Sequence, residues 1–195
     1  MRLTRIKPAL AAGVLSASAL TFGSASLAQA GGPDGPEGCD AQGMVINSNA
    51  AVVNGTPGAD VINGGPADQE INGFGGADVI NAGGGDDLVR GNACDDRISG
   101  EGGNDTLNGN TDNDRISGGP GNDDGFGGTG RDRLEGGLGN DELHGQDQID
   151  VVNGGFGVDV MRGGLPAPAM NGDQGDAGPG ADTDCLGFEP AAASC

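Results

Sequence analysis

Aspartates recur at intervals of nine residues through the middle of the sequence, at the sixth position of a repeated nonapeptide. Thirteen nonapeptides run without insertion from Gly55 to Asn171, and eleven of them carry this aspartate. The eleven are Asp60, Asp78, Asp87, Asp96, Asp105, Asp114, Asp123, Asp132, Asp141, Asp150 and Asp159. Carboxylates at this spacing, beside glycine-rich turns, are hard oxygen ligands that suit Ca²⁺ better than Zn²⁺ or copper. The sequence therefore predicts several Ca²⁺ ions as cofactors, with these aspartates as metal ligands. Sites beside Gln69, Gln148 and Pro168 should be weak or absent.

The other positions of the nonapeptide indicate how these aspartates are held. Position 1 is glycine in twelve repeats, and position 8 is apolar in twelve, Gly125 being the exception. A Gly-Gly-x-Gly run permits positive φ and a sharp turn. The residues that follow the turn suffice for one very short strand whose single inward side chain is position 8. Two nonapeptides then form one coil, and each aspartate meets its counterpart of the next coil at roughly 4.8 Å along the stack. At Gly125 we expect the neighbouring Phe126 to fill the gap in the core.

The repeat resembles the GGxGxDxUx signature of the RTX, or haemolysin-type, calcium-binding family. The resemblance covers residues 55–171 and implies an all-β fold, a parallel β-roll or two-sided β-helix solenoid with two nonapeptides per coil. It also implies that calcium lies between successive turns, held by the aspartate side chain and turn carbonyls. Family members with known activities usually join the repeats to a protease, lipase or pore-forming domain, and we recognise none in this sequence.

The segments on either side of the repeats are predicted to be a leader and two caps. Residues 1–30 contain three basic side chains, an apolar run from Ala9 to Phe22 and an A-x-A cleavage site, so they predict a signal peptide of the general secretory route and a secreted, extracellular protein. Residues 31–54 are expected to cap the N-terminal end of the solenoid and to supply one or two strands. The repeat register is lost after Asn171, and residues 172–195, which hold a repeat-like segment displaced by five residues, are expected to form the C-terminal cap.

The composition excludes several kinds of partner. Twenty-nine acidic residues face nine basic ones, for a net charge of −20. Such a charge repels nucleic acid and anionic membranes. The sequence has no second hydrophobic stretch, so we do not expect membrane insertion. High glycine content and charge are typical of disordered chains, but strict periodicity argues for a fold. We therefore expect a chain that is disordered without calcium and folds when calcium binds.

Four cysteines in a secreted chain predict two disulfides, with three possible connectivities. We favour Cys39 with Cys94, which would tie the N-terminal cap to the fifth repeat, and Cys185 with Cys195, which would staple the C-terminal cap. The alternative for Cys94 is a free buried thiol.

No catalytic constellation is recognisable, so we predict that the protein is not an enzyme. The single histidine, His144, lies within a repeat, and the carboxylates recur at ligand spacing. The predicted function is a calcium-binding β-roll with a structural, adhesive or buffering role, whose cell-surface or matrix partner is unknown. Alternatives are an adhesin or ice-binding type of ligand surface, or a detached accessory module of a secreted enzyme.

A column of basic side chains is predicted on one outer face. Arg97, Arg115 and Arg133 all lie at position 7, in every second repeat. They either neutralise neighbouring aspartates, which we favour, or form a docking stripe for an acidic partner.

Overall fold

The chain winds into a two-sided solenoid of parallel strands. The computed structural model describes residues 39, 41–163, 174–176 and 183–186, all within the unit Asp34–Cys195. In this described part every regular element is a strand. None of these residues belongs to a helix that could cross a membrane.

Odd-numbered and even-numbered strands build two separate eight-stranded sheets. The first sheet contains β1 (Gln42–Asn47), β3 (Ala59–Asn63), β5 (Val79–Gly84), β7 (Arg97–Gly102), β9 (Arg115–Pro120), β11 (Arg133–Leu138), β13 (Val151–Phe156) and β15 (Gln174–Asp176). The second contains β2 (Val52–Asn54), β4 (Glu70–Gly75), β6 (Leu88–Ala93), β8 (Thr106–Thr111), β10 (Asp124–Thr129), β12 (Glu142–Asp147), β14 (Val160–Arg162) and β16 (Thr183–Leu186). Successive strands thus alternate between the sheets, as a coil of two nonapeptides requires.

The register confirms the predicted period of two nonapeptides through the centre of the roll. Ile98 pairs with Ile116, which in turn is followed by Leu134 in the next strand of the same sheet. Because every full coil restores the same position of the repeat, each position forms a column along the solenoid axis. The all-β parallel β-roll predicted from the sequence is therefore confirmed.

The strands are longer than the sequence predicted, and more than one position faces inward. From β4 to β13 each strand has six residues, running from position 7 through position 3 of the next repeat. Burial alternates along them, so that positions 6, 8 and 1 lie inside. The expectation of a single inward side chain was wrong because the position-6 aspartate is also buried, and the strand is longer because it includes positions 1 to 3, which were expected to form the turn.

The hydrophobic core is one row of position-8 side chains from each sheet. Its members are Val53, Ile62, Ile71, Ile80, Val89, Ile98, Leu107, Ile116, Leu134, Leu143, Val152 and Met161, together with Ala82 at position 1. Gly125 leaves no hole for Phe126, because a Cβ built on Gly125 would lie 2.8 Å from Leu143 Cδ2. Phe126 instead stacks on His144 outside the core, with ring centroids 5.0 Å apart. The expectation that Phe126 fills the gap was therefore wrong.

The two ends of the roll depart from the regular step of two nonapeptides. At the N-terminal end Asn47 pairs with Asn63, a step of 16 residues. On the other sheet Val52 pairs with Glu70, which keeps the regular step. The turn between β1 and β2 is accordingly two residues shorter than the next turn on that side.

At the other end, the regular step from Val152 would lead to Met170, but Gly175 is its partner in β15. Val160 likewise pairs with Thr183, so both final strands are displaced by five residues. Met170, Pro168 and the predicted signal peptide lie outside the described residues.

A disulfide joins Cys39 to Cys94, with 5.8 Å between the Cα atoms, as the sequence predicts. The carbonyl of Cys39 also accepts a hydrogen bond from the N–H of Ala77 at 3.3 Å. Residue 39 thus lies against the turns of later coils and ties the beginning of the roll to the turn after β6. The predicted pairing of Cys185 with Cys195 lies outside the part whose side chains are described.

Positions 2 and 4 of the repeat have left-handed backbone conformations from Phe74 to Gly157. This is so even where the residue is not glycine, as at Glu101, with φ of 69°, and at Cys94, with φ of 83°. An L-residue in this region costs about 1 to 2 kcal/mol relative to glycine. The repeat's preference for glycine at these two positions is therefore conformational.

Replacing Glu101 with glycine should stabilise the roll by about 1 kcal/mol, because it relieves this strain at an exposed position. Glu135 is also exposed on a strand, but its φ is not positive, so E135G should destabilise by about 0.5 to 1 kcal/mol. Urea unfolding of both variants in calcium measures the difference. Equal loss of stability would contradict the conformational explanation.

Candidate metal centres

The position-6 aspartates form two buried ladders, one along each edge of the roll. The backbone N–H of Asp96 donates to Oδ1 of Asp114 at 2.8 Å, and the N–H of Asp114 donates to Oδ1 of Asp132 at 2.8 Å. Ten bonds of this kind, 2.7 to 3.0 Å long, connect equivalent positions of adjacent coils from Asp60 to Asp159. Each aspartate therefore points into the roll and contacts the coil before it.

The second carboxylate oxygen of these aspartates is buried without a hydrogen-bond donor. This holds for Oδ2 of Asp78, Asp87, Asp96, Asp105, Asp114, Asp123, Asp132 and Asp141. A buried charge with no donor is costly, and native proteins rarely keep one without an ion or a partner. The row of orphaned oxygens is thus the feature of the described residues that most strongly points to bound cations.

Position 1 needs glycine for space, not for φ. A Cβ built on Gly109 would clash with Oδ2 of Asp114 and lie 2.6 Å from the carbonyl oxygen of Gly127. The same pair of oxygens, the aspartate five residues on and the position-1 carbonyl of the next coil, lies beside Gly55, Gly73, Gly91, Gly100, Gly118, Gly127 and Gly136. Each glycine thus leaves open a small space lined by oxygen. Ala82 is the exception and places a methyl group in this row.

The donor set fits a hard cation. Each space combines one carboxylate oxygen with a backbone carbonyl oxygen of the next coil. Among the described residues, no group of three or more His, Cys, Asp or Glu side chains could hold a metal ion, so most ligands of a cation here would have to be backbone carbonyls. Carbonyl-rich oxygen sites are characteristic of Ca²⁺, whereas Zn²⁺ takes nitrogen and sulfur as well.

Burial makes these carboxyl groups hard to ionise in the absence of a cation. It raises the pKa of Asp114 to about 8 and that of Asp96 to about 7, although the N–H donated from the preceding coil opposes the shift. Nearby carboxylates raise both further. For Asp78, Asp87, Asp123, Asp132 and Asp141, burial raises the pKa to about 6.

A family model described as the RTX calcium-binding nonapeptide repeat matches the chain in four copies, at residues 47–69, 72–107, 99–134 and 135–165. These copies cover more than half of the sequence. The chain belongs to the RTX calcium-binding repeat family. No curated protein and no solved structure matches the chain. The match confirms the resemblance based on the repeat, and membership indicates calcium binding within the repeats.

The structure brings the predicted aspartates together, but it distinguishes the first one. Asp60 accepts bonds from the N–H of Thr56 at 2.5 Å and from the N–H of Met44, so both of its oxygens have protein donors. Gln69, which replaces aspartate, is also hydrogen-bonded through its side chain. Asp150 and Asp159 accept the same ladder bonds as the others, from Asp132 and Asp141.

A second ladder at position 5 was not predicted. Oδ1 of Asp86 accepts from the N–H of Asn104 at 2.8 Å, and Oδ1 of Asn104 accepts from the N–H of Asn122 at 2.9 Å. These exposed side chains accept from the following coil, whereas the position-6 aspartates accept from the preceding one. The frequent Asp or Asn at position 5 was the feature of the sequence that could have predicted this ladder.

The arginine column forms as predicted. Arg97 pairs with Arg115 and Arg115 with Arg133, and all three are exposed between open grooves of about 530 and 420 Å³. None of them forms an ion pair with a carboxylate of the described residues. If these arginines neutralise the aspartates, the attraction acts over a distance and is screened by salt. Neutralisation, which we favoured over a docking stripe for an acidic partner, stays a prediction.

Replacing Gly109 with alanine should destabilise the calcium-loaded roll by about 1 to 3 kcal/mol, because the added Cβ enters the oxygen-lined space. G102A is the matched control, since a Cβ on Gly102 meets nothing within 4 Å. Thermal unfolding at saturating calcium measures both, and equal behaviour of G109A and G102A would show that position 1 does not need this space.

Low pH should stabilise the calcium-free roll, because protonation removes the buried negative charges that calcium would otherwise balance. Because the folded pKa values of the buried aspartates lie above the unfolded value of 3.8, their contribution to the stability of the calcium-free roll is full below about pH 4 and is lost as pH rises from there to the folded values of about 6 to 8. Circular dichroism in chelator should show more β structure at pH 5 than at pH 8. D114N should shift this transition, whereas D147N, at an exposed position whose charge does not raise the pKa of these aspartates, should not. A signal independent of pH would contradict the role given to burial.

Proposed function

We propose that this protein is a secreted, non-enzymatic calcium-binding β-roll that folds when Ca²⁺ binds and then serves a structural, adhesive or buffering role. The observation that carries the proposal is the row of buried Oδ2 atoms without donors in a chain of the RTX repeat family. A thin core flanked by buried carboxylates should be unstable without cations and stable when cations balance the buried charge.

The residues that would hold the ions are the position-6 aspartates and the position-1 carbonyls of adjacent coils. A bound Ca²⁺ supplies positive charge and accepts several oxygen ligands at once. The ladder N–H fixes Oδ1 of each aspartate, so that Oδ2 is already turned toward the glycine space before binding. The turn backbone, held by left-handed positions 2 and 4, supplies the carbonyls without further side chains.

Binding would be coupled to folding since the ligands come from different coils. Asp114 and the carbonyl of Gly127 converge only when the coils are stacked. We infer a switch: the chain stays extended where calcium is scarce and folds where it approaches about millimolar, the range of extracellular modules.

Secretion is supported by the leader predicted over residues 1–30 and by the disulfide between Cys39 and Cys94. Disulfides persist in oxidising, extracellular compartments. Calcium is abundant in the same compartments, which suits the proposed switch.

A non-enzymatic role is supported by the surroundings of the single histidine. His144 Nε2 lies 2.9 Å from Glu142 Oε1 and 3.1 Å from Arg162 Nη1, and its ring stacks on Phe126. These contacts suit a side-chain column that braces neighbouring strands. The described residues place no nucleophile in this column.

The outer columns favour a structural or adhesive role over an ice-binding type of surface. On the first sheet, position 7 carries Val79, Arg97, Arg115, Arg133 and Val151 in succession. An ice-binding type of surface would need outward columns of threonine or aromatic residues, and these residues do not form one. An adhesin type of ligand surface and a detached accessory module of a secreted enzyme stay alternatives.

The deciding experiment is a Ca²⁺ titration of residues 31–195 from a chelated start, followed by circular dichroism, with Mg²⁺ as control. We expect a cooperative change from coil to β structure that Mg²⁺ does not produce. Persistent coil at millimolar calcium, or a β signal that chelator leaves unchanged at neutral pH, would overturn the proposed switch.

A further inference from the structure

The first coil of the roll differs from the coils that follow in how its position-6 side chains are satisfied. From Asp78 to Asp141, each aspartate has one buried oxygen without a donor. At Asp60 and Gln69, which begin the two ladders, protein groups provide the missing contacts. Both side chains are nevertheless as buried as the later ones, with 1% and 5% exposure.

Gln69 replaces both the carboxylate and its cation with one amide group. Its Oε1 accepts from the N–H of Gly65 at 2.7 Å. Its Nε2 donates to the carbonyl oxygens of Ser48 at 3.2 Å and Ala50 at 2.5 Å, both in the turn between β1 and β2. The amide hydrogens thus give those carbonyls the positive partner that a cation would otherwise supply.

Thr56 performs the corresponding task for Asp60. It lies at position 2, where no other repeat has threonine. Its hydroxyl lies 3.1 and 3.0 Å from the two oxygens of Asp60, and its N–H donates to Oδ2 at 2.5 Å. The N–H of Met44 donates to Oδ1. Protein donors therefore contact both oxygens of this carboxylate, where a metal ion would otherwise lie.

The backbone of the first coil is also distinct. Its turn between Asn47 and Val52 has four residues, whereas the turn between Asn63 and Glu70 on the same side has six. The shorter turn brings the Ser48 and Ala50 carbonyls within reach of the longer glutamine side chain. The first coil is therefore built as a unit around amide and hydroxyl donors.

We propose that the first coil is a metal-free end of the roll, in which Thr56 and Gln69 stand in for calcium, and that the two calcium rows begin at Asp78 and Asp87. This rests on the proposed function for the rows themselves. Asp60 is then a hydrogen-bonded structural residue and not a calcium ligand. The metal-free coil offers a formed edge to which the next coil can pair when calcium arrives.

Calcium stoichiometry of the full chain, counted by native mass spectrometry, tests the proposal. D60N should keep the wild-type count, whereas D78N and D87N, one from each row, should each lose one ion. Q69E has the same shape but turns an oxygen toward the Ser48 and Ala50 carbonyls, so it should gain one ion. A loss of one ion in D60N, or an unchanged count in Q69E, would overturn the proposal.

A second measurement does not depend on calcium binding. The N–H groups of Glu70 and Glu142 occupy the same position of the repeat, and each donates at 2.8 Å to a carbonyl of the coil before, that of Ala51 and that of Asp123. In chelator, hydrogen exchange of Glu70 should be at least tenfold slower than that of Glu142, and Q69E should abolish the difference while leaving the disulfide intact. Equal exchange in the wild type would refute the metal-free coil. A wild type that binds no calcium but keeps the difference would refute only the proposed calcium rows.

Discussion

The architecture depends on burying carboxylates in a roll that has little apolar material to compensate for them. One apolar side chain per nonapeptide fills the core, and one aspartate per nonapeptide lies beside it. The ladder bond from the preceding coil satisfies one oxygen of each carboxylate and leaves the other facing the glycine space. Desolvation of that oxygen lowers the stability of the calcium-free roll. The same oxygen is a ligand that hard cations prefer, so it also makes the site selective for them.

The glycines serve two separate requirements in this arrangement. Position 1 must be small, because a Cβ there would fill the space between two oxygens. Positions 2 and 4 must turn the chain with positive φ, and residues such as Glu101 and Cys94 meet this requirement at some cost. The ladders at positions 5 and 6 then join adjacent coils with bonds of opposite direction. Each coil is thereby held to the coils on both sides of it by side chains as well as by the sheets.

Much of this could be predicted from the sequence, because translational repeats convert spacing directly into contacts. The period, the two sheets and the core row followed from residue positions, whereas the bond between Cys39 and Cys94 was the favoured one of three connectivities. The inward direction of position 1 and the position-5 ladder did not, because a glycine shows no facing preference and Asn or Asp suits many turns. The contacts of Asp60 and Gln69 depend on a shortened turn that precedes Gly55, which an alignment of repeats beginning there does not include. Phe126 was misplaced because the core beside Gly125 is closed by Leu143 from the next coil.

Because strands alternate between the two sheets, inserting an even number of nonapeptides and inserting an odd number have different effects on the molecule. A duplication or deletion of two nonapeptides adds or removes one whole coil and leaves every outer column unbroken. A change of one nonapeptide preserves the repeat equally well, yet it moves every later strand to the opposite face, so that Arg133 would leave the column of Arg97 and Arg115. Tandem repeats of this kind can therefore change length freely only in pairs, and descendants that gained a single nonapeptide would carry their surface chemistry on the wrong side.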